Sequence, residues 1–191
     1  MSLDFLDDSI FVLIEEEEFV DTKDELDITL YFDGSKCEQG GGAGIVFITP
    51  QGAPIPLSFK LKFPCTNNMA EYEALVLGLQ TTIKLNFKKI KIIGDSQLIV
   101  NQVLGTYQCH NDILKKYKLV VDKLLLQFDK YTIESSSRST NRFADTMASL
   151  GSLISSQDDQ DNITVHVTTL HNPSYLIGPI INHIEGDNVN P

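Results

Sequence analysis

A change of hydrophobic period near residue 65, from that of strands to that of a helix, constrains this chain more than any other feature. Ile28, Leu30 and Phe32 alternate with Thr29, Tyr31 and Asp33, the pattern of a half-buried strand. A continuous apolar run follows at Ile45 to Ile48, and Pro50-Gln51-Gly52 marks a turn. Leu57, Phe59, Leu61 and Phe63 then alternate with Ser58, Lys60 and Lys62, a strand with one wet face. Short turns between three strands predict an antiparallel meander. Beyond it, Ala74, Leu75, Gly78, Leu79 and Ile83 recur at helical spacing behind a cap at Asn67 or Asn68. LysIleLysIleIleGly (89–94) predicts a buried strand, residues 96–104 a short helix and 112–128 a longer amphipathic one. A last strand is expected over 131–135 and a last helix over 141–150. The order βββ-α-β-α-α-β-α predicts an α/β fold, a five-stranded mixed sheet with three antiparallel strands, parallel crossovers and helices on both faces.

Four carboxylates sit where such a fold gathers its ends. Asp33 closes the first predicted strand before Gly34, and Asp95 ends the fourth as the chain turns into a helix. Asp145 lies in the first turns of the last helix. Glu71 falls on the apolar stripe of the first helix, where a charge is costly to bury, whereas Glu73 is off that stripe and reads as ordinary surface. Taken singly, Asp95 reads as an N-cap, Asp145 as a helix-start acid and Asp33 as a turn former. Taken together, they offer the clustered hard oxygens that a pair of divalent cations requires. The glycines at 40–44 lie between two antiparallel strands and not in a strand-to-helix turn, so a turn or bulge explains them better than a phosphate cradle.

TyrPheAspGlySer (31–35), ThrAsnAsnMetAlaGluTyrGluAla (66–74), GlyAspSerGlnLeuIleValAsnGln (94–102) and AsnArgPheAlaAspThrMetAla (141–148) resemble the motifs of type 1 ribonuclease H. The likeness is nearest to the ribonuclease H domain in polyproteins of plant gypsy-type LTR retrotransposons, and it covers about residues 27–150. Four motifs in order, each in its expected strand or helix context, are far more specific than any one. The resemblance implies a ribonuclease H-like fold and cleavage of the RNA strand of an RNA/DNA hybrid. It implies two Mg2+ ions, with Mn2+ as a substitute, held by Asp33, Glu71, Asp95 and Asp145 as the catalytic and metal-binding set. Asn67, Asn68 and Gln97 match hybrid-contacting positions, and Thr66 matches a threonine that seats a DNA phosphate. Ser35, Ser96, Arg138 and Asn141 complete the expected substrate-binding set. Short polar side chains in a shallow minor groove suit a reader of 2′-hydroxyls; helix capping is the structural alternative for Thr66 to Asn68.

Two departures from the resembled family matter. Many members carry a mobile histidine shortly before the last aspartate, and the candidate in that loop here is Arg138, which predicts slower turnover. The family's basic substrate-gripping insertion is reduced. Lys115, Lys116 and Lys118 are possible substitutes, though equally the wet face of a helix. Hybrid affinity should then be weak and steeply salt-dependent.

Net charge misleads unless it is divided. The chain carries −11 overall, but residues 1–26 contribute −9, residues 151–191 contribute −5, and residues 27–150 are mildly basic at +3. The expected organisation is an acidic N-terminal extension (1–26), a catalytic domain (27–150) and an acidic, mostly irregular tail (151–191) with one alternating segment at Ile163, Val165 and Val167. The acidic segment resembles the joint to reverse transcriptase, a possible partner, and ValHisValThrThrLeuHisAsnProSer (165–174) resembles the linker toward integrase. Both suggest a fragment of a retroelement polyprotein. Three isolated cysteines, no apolar run long enough to span a bilayer and no secretory signal suggest an intracellular protein of nucleus or cytoplasm, without disulfide or membrane partners. The alternative function is a ribonuclease H-like nucleic-acid-binding module with catalysis weakened or lost. Retention of all four carboxylates speaks against it, because negative charge repels phosphates.

Overall fold

The computed structural model describes residues 28–37, 40–137, 142, 145–146, 148–149 and 167–177. Strands β1 (Ile28–Cys37), β2 (Gly40–Ile48) and β3 (Pro54–Leu61) form the expected antiparallel meander. On the other side of β1, β4 (Lys89–Gly94) and then β5 (Lys130–Ser135) join in parallel. A short strand β6 (Val167–Leu170) pairs in parallel with β3, giving a sheet ordered β5-β4-β1-β2-β3-β6 among the described residues.

Six strands therefore stand where five were expected. Of the alternating segment expected at Ile163, Val165 and Val167, the first two lie outside the described residues; Val167 opens β6, which lies on the edge of β3. Lys62 N–H donates to Leu170 O at 2.8 Å just beyond the ladder. An unpaired edge is a standing invitation to pairing, and here the chain covers its own. The glycines at 40–44 also differ from expectation, lying within β2 and paired against Asp33 to Cys37. A Cβ at Gly41 would lie 2.6 Å from Ser35 O and 2.7 Å from Cys65 Sγ, so only glycine permits the close approach.

Helix α1 (Asn67–Lys84) crosses the sheet over β1 and β2. Its cap is Thr66, one residue before the asparagines expected in that role: extended backbone at Thr66 lets its hydroxyl accept from Met69 N–H at 3.2 Å. Helix α2 (Gln97–Val103) follows β4, and α3 (Asp112–Leu125) packs on α1. A single turn, α4 (Ser174–Ile177), follows β6 and touches both α1 and α3. Residues 142, 145, 146, 148 and 149 are helical as expected. Among the described residues no helix is long and apolar enough to cross a membrane.

The position of α1 overturns the reading of Glu73 as surface. A helix with one buried face would leave residue 73 in water, but α1 has the sheet on one side and α3 and α4 on the other. Glu73 is consequently 0% exposed, alongside Tyr72, Ala74, Leu75 and Val76. Its carboxylate accepts from Tyr117 Oη, from Ser174 N at 2.7 Å and from Ser174 Oγ at 2.5 Å. Burial pushes the Glu73 carboxyl above the usual carboxylate range, and these three donors pull the other way.

Candidate active site

Parallel pairing of β1 with β4 ends at Phe32 and Gly94. The next residue on each strand is an aspartate, Asp33 and Asp95, so the register itself sets the two side by side at the carboxyl ends of the sheet's parallel strands. Crevices of this kind are where open α/β sheets hold ligands. Contrary to expectation, β1 does not stop at Asp33. It continues to Cys37 in the hairpin with β2, so Asp33 is paired opposite Gly44.

Alternation along β1 sends its neighbours to opposite faces. Gly34 meets α1, where a Cβ would lie 2.1 Å from Glu71 N and 2.2 Å from Ala70 C. The missing side chain is what lets the helix segment bearing Glu71 press onto the strand bearing Asp33. Gly34→Ala is therefore expected to displace the first turns of α1 and destabilise by about 1–3 kcal/mol or more, as overpacking does. Thermal unfolding and hybrid cleavage measured together check it. On the other face, Ser35 Oγ donates to Ala148 O at 2.9 Å and fastens the helical residues around Asp145 to the sheet. Asp145 itself is exposed.

The electrostatics follow from this crowding. Asp33 is only 7% exposed. Burial first, then the charge of Asp95, then a hydrogen bond with Asp145 and its charge push the Asp33 carboxyl up to about 8; the Gly34 N–H, donating at 2.8 Å to Oδ1, opposes them. Asp95 and Asp145 thus each act on Asp33, and the backbone of Glu71 lies against the neighbouring Gly34. Glu71 is half-buried, with Oε2 enclosed. Capping does not explain Asp95, because Ser96 caps α2 through Ile99 N–H. Among the described residues no three His, Cys, Asp or Glu side chains already form an ion-holding group. The contacts of Asp33 are instead pairwise, a shared hydrogen bond with Asp145 and a charge contact with Asp95. The donor set still fits a hard divalent cation: all four candidates are carboxylates, and Asp33 is raised by burial and by the acids beside it.

The expected substrate contacts divide into two groups. Thr66 and Asn67 are exposed and Asn68 half-buried just before and at the start of α1, upstream of Glu71 on that helix, and Gln97 is exposed at the start of α2, two residues after Asp95. Ser35 and Ser96 are engaged structurally, the one on Ala148 and the other as a cap. Arg138 and Asn141 lie outside the described residues. The lysines of α3 already have local roles: Lys115 pairs with Asp112, Lys118 with Asp122, and Lys116 stands 5.5 Å over the Tyr175 ring. That is the wet-face alternative. Sequence reasoning missed the bond from Tyr72 Oη to Gln102 Oε1 at 3.0 Å, which is fully enclosed and ties α1 to the helix after Asp95. Nothing in the spacing pairs those two residues.

Three comparisons bear on this arrangement. Residues 31–151 match the family model described as reverse transcriptase-like. The chain is similar to ribonuclease HI of Halobacterium salinarum, 32% identical over 120 residues that make up 62% of this chain and 60% of that protein. It is 36% identical over 135 residues to an uncharacterised protein of Bacillus subtilis, covering 64% of this chain and 57% of the other. The chain thus spans about 60% of the length of these curated relatives. Among solved structures, the RNase H1 from Halobacterium salinarum superposes with a TM-score of 0.60 at 30% identity, over 65% of this chain and 96% of that one. LC11-RNase H1 in complex with an RNA/DNA hybrid gives 0.56 at 25% identity, over 64% and 94%.

Proposed function

Because the chain belongs to the reverse transcriptase-like family, we propose that it is an endonuclease that hydrolyses the RNA strand of RNA/DNA hybrids. Asp33, Glu71, Asp95 and Asp145 would be its catalytic carboxylates and would hold two divalent cations, Mg2+ with Mn2+ able to substitute. The observation that carries this reading is the buried Asp33 carboxyl, raised to about 8 by burial and by Asp95 and Asp145. A protein gains nothing by crowding acids at the end of a sheet unless cations come to them. The same crowding weighs against the pure binding module, since it would repel the phosphates of any hybrid.

What such a cation pair supplies when bound is a lowered pKa for the attacking water and stabilisation of the leaving 3′-oxygen. The chain's own residues do the rest. Asp33, in the β1–β2 hairpin, would give up its proton to serve as a ligand, and the exposed Asp145 beside it would add a second carboxylate. Asn67, Asn68 and Gln97 stand at two helix starts and suit contacts across a shallow minor groove. Thr66 would add a phosphate contact while it caps α1. The solved complex of LC11-RNase H1 with an RNA/DNA hybrid supports this choice of substrate. With Lys115 and Lys118 of α3 already paired, hybrid affinity should be weak and fall steeply between 50 and 200 mM salt, about ten- to a hundredfold for a few phosphate contacts. A filter-binding titration checks it.

The finer assignment is to a retroelement polyprotein of plant gypsy type, working inside the cell beside a reverse transcriptase. It rests on the motif resemblance and the acidic segment before residue 27. The function is tested with end-labelled substrates in Mg2+, comparing hybrid, single-stranded RNA and duplex DNA, for the wild type and Asp95→Asn. Cleavage confined to the hybrid, leaving 5′-phosphate and 3′-hydroxyl ends and lost in the variant, is the expected result. Folded protein that binds hybrid without cutting it, in Mg2+ or Mn2+, would favour the binding module instead.

A further inference from the structure

We propose that the segment 167–177 is a positioning clasp for the active site, with Ser174 and Glu73 as positioning residues that hold α1, and so Glu71, against the sheet. The inference rests on the functional reading above and deepens it. Glu73 is a carboxylate with no exposure to water, sealed by three donors, none of them from its own helix. Two of the three come from Ser174, which is 101 residues away in sequence. A buried charge is tolerated only when such donors meet it in good geometry, and an apolar side chain would fill the same space at less cost. What the charge adds is selectivity for one placement, because only one seating of α1 against α4 satisfies all three bonds.

That placement matters because Glu71 lies two residues earlier on the same helix. The start of α1 is held from three directions. Gly34 of β1 meets it at Ala70 and Glu71, Gln102 of α2 bonds Tyr72, and Ser174 of α4 bonds Glu73. The first two contacts lead straight to Asp33 and Asp95. The third is supplied by a segment remote from the motifs, itself anchored in three ways. β6 is hydrogen-bonded along β3, the Tyr175 ring meets Tyr117 edge-on at 4.8 Å, and Lys116 lies over Tyr175. Removing the third hold leaves Gly34 and Gln102 as the contacts on the helix start and takes two of the three donors from Glu73.

The test compares wild type with Ser174→Ala, Glu73→Gln, Ser174→Thr and, as a control on the same segment, Leu176→Ser at an exposed position. Three quantities are read well below the unfolding temperature: amide exchange over residues 70–75 in metal-free protein, Mn2+ affinity by calorimetry, and kcat and KM for hybrid. Ser174→Ala and Glu73→Gln are expected to speed exchange over 70–75 and weaken Mn2+ binding about 3- to 10-fold, the usual range for coupling through a packed network. They should lower kcat with KM for hybrid within about twofold, because the disturbed group is Glu71 and not the groove. Ser174→Thr, which keeps the hydroxyl, should restore all three, and Leu176→Ser should change none. Variants that lose thermal stability while exchange over 70–75 and Mn2+ affinity stay at wild-type values would overturn the clasp and leave 167–177 a mere cover. Wild type that neither binds Mn2+ nor cuts hybrid would instead overturn the functional reading itself.

Discussion

Asp33→Asn is expected to lower hybrid cleavage about a thousandfold or more and, at the same time, to make the metal-free protein more stable at neutral and alkaline pH. The rate loss follows from the proposed role of Asp33, whose removal would take a carboxylate ligand from the site. Several kcal/mol of charge stabilisation go with it, at a factor of about ten for each 1.4 kcal/mol. The stability gain follows from the raised carboxyl. Asp33 titrates near 8 in the folded protein against 3.8 ordinarily, so between those values the folded state holds a proton that the unfolded state has released. Stability therefore falls as pH rises from about 4 to 8, and the penalty is complete above 8. Asparagine has no charge to repel Asp95 and still accepts from Gly34. The variant should gain on the order of a few kcal/mol over wild type at pH 8 and almost nothing at pH 4. Denaturant unfolding at both pH values, with and without Mg2+, checks it. Mg2+ should stabilise wild type increasingly as pH rises toward 8, since an ion must displace that proton, and should leave Asp33→Asn unchanged.

Tyr117→Phe is expected to destabilise the fold by about 1.5–3 kcal/mol, the range for a lost hydrogen bond to a charged acceptor. The ring stays, so its stacking on Tyr72 at 5.7 Å and its edge contact with Tyr175 survive, and the loss isolates the hydroxyl. Burial and the adjoining Glu73 push the Tyr117 hydroxyl well above the ordinary phenol range, so it remains a donor throughout the accessible pH range. Exposed apolar residues of the same region supply the contrast. Leu119→Ser and Leu126→Ser, at 56% and 85% exposure, should stay within about 0.5 kcal/mol of wild type. Parallel chemical denaturation of the three variants decides it.

What the sequence disclosed and what it withheld divide along physical lines. The meander, the parallel crossovers and the placing of Asp33 and Asp95 just past the paired stretch of β1 and β4 were legible because strand period and strand order determine them. The helix carrying Glu71 was legible for the same reason, but its surroundings were not. Periodicity assigns a helix one apolar face, and α1 has two packed sides, the second made by elements 40 to 100 residues downstream. So Glu73, a charge in a seemingly wet position, is the most enclosed acid in the described protein. β6 escaped for a related reason: nothing in Val167 to Leu170 names the strand edge that will take it. The cap at Thr66 is a smaller case, in which two good capping residues stood one and two places too late. The assignment of the four carboxylates to one site owed more to the motif resemblance than to spacing. The structure shows pairwise interactions of Asp33 with Asp95 and with Asp145, and it sets the Glu71 backbone on Gly34.

The central claim is that these four carboxylates hold divalent cations, and an anomalous difference map from wild-type crystals soaked in Mn2+ tests it most directly. The predicted result is Mn2+ density bounded by Asp33, Glu71, Asp95 and Asp145, absent when Asp33→Asn crystals are soaked the same way. Mn2+ bound elsewhere in a protein that still cuts hybrid, or no ion at this sheet end at concentrations that support cleavage, would contradict it.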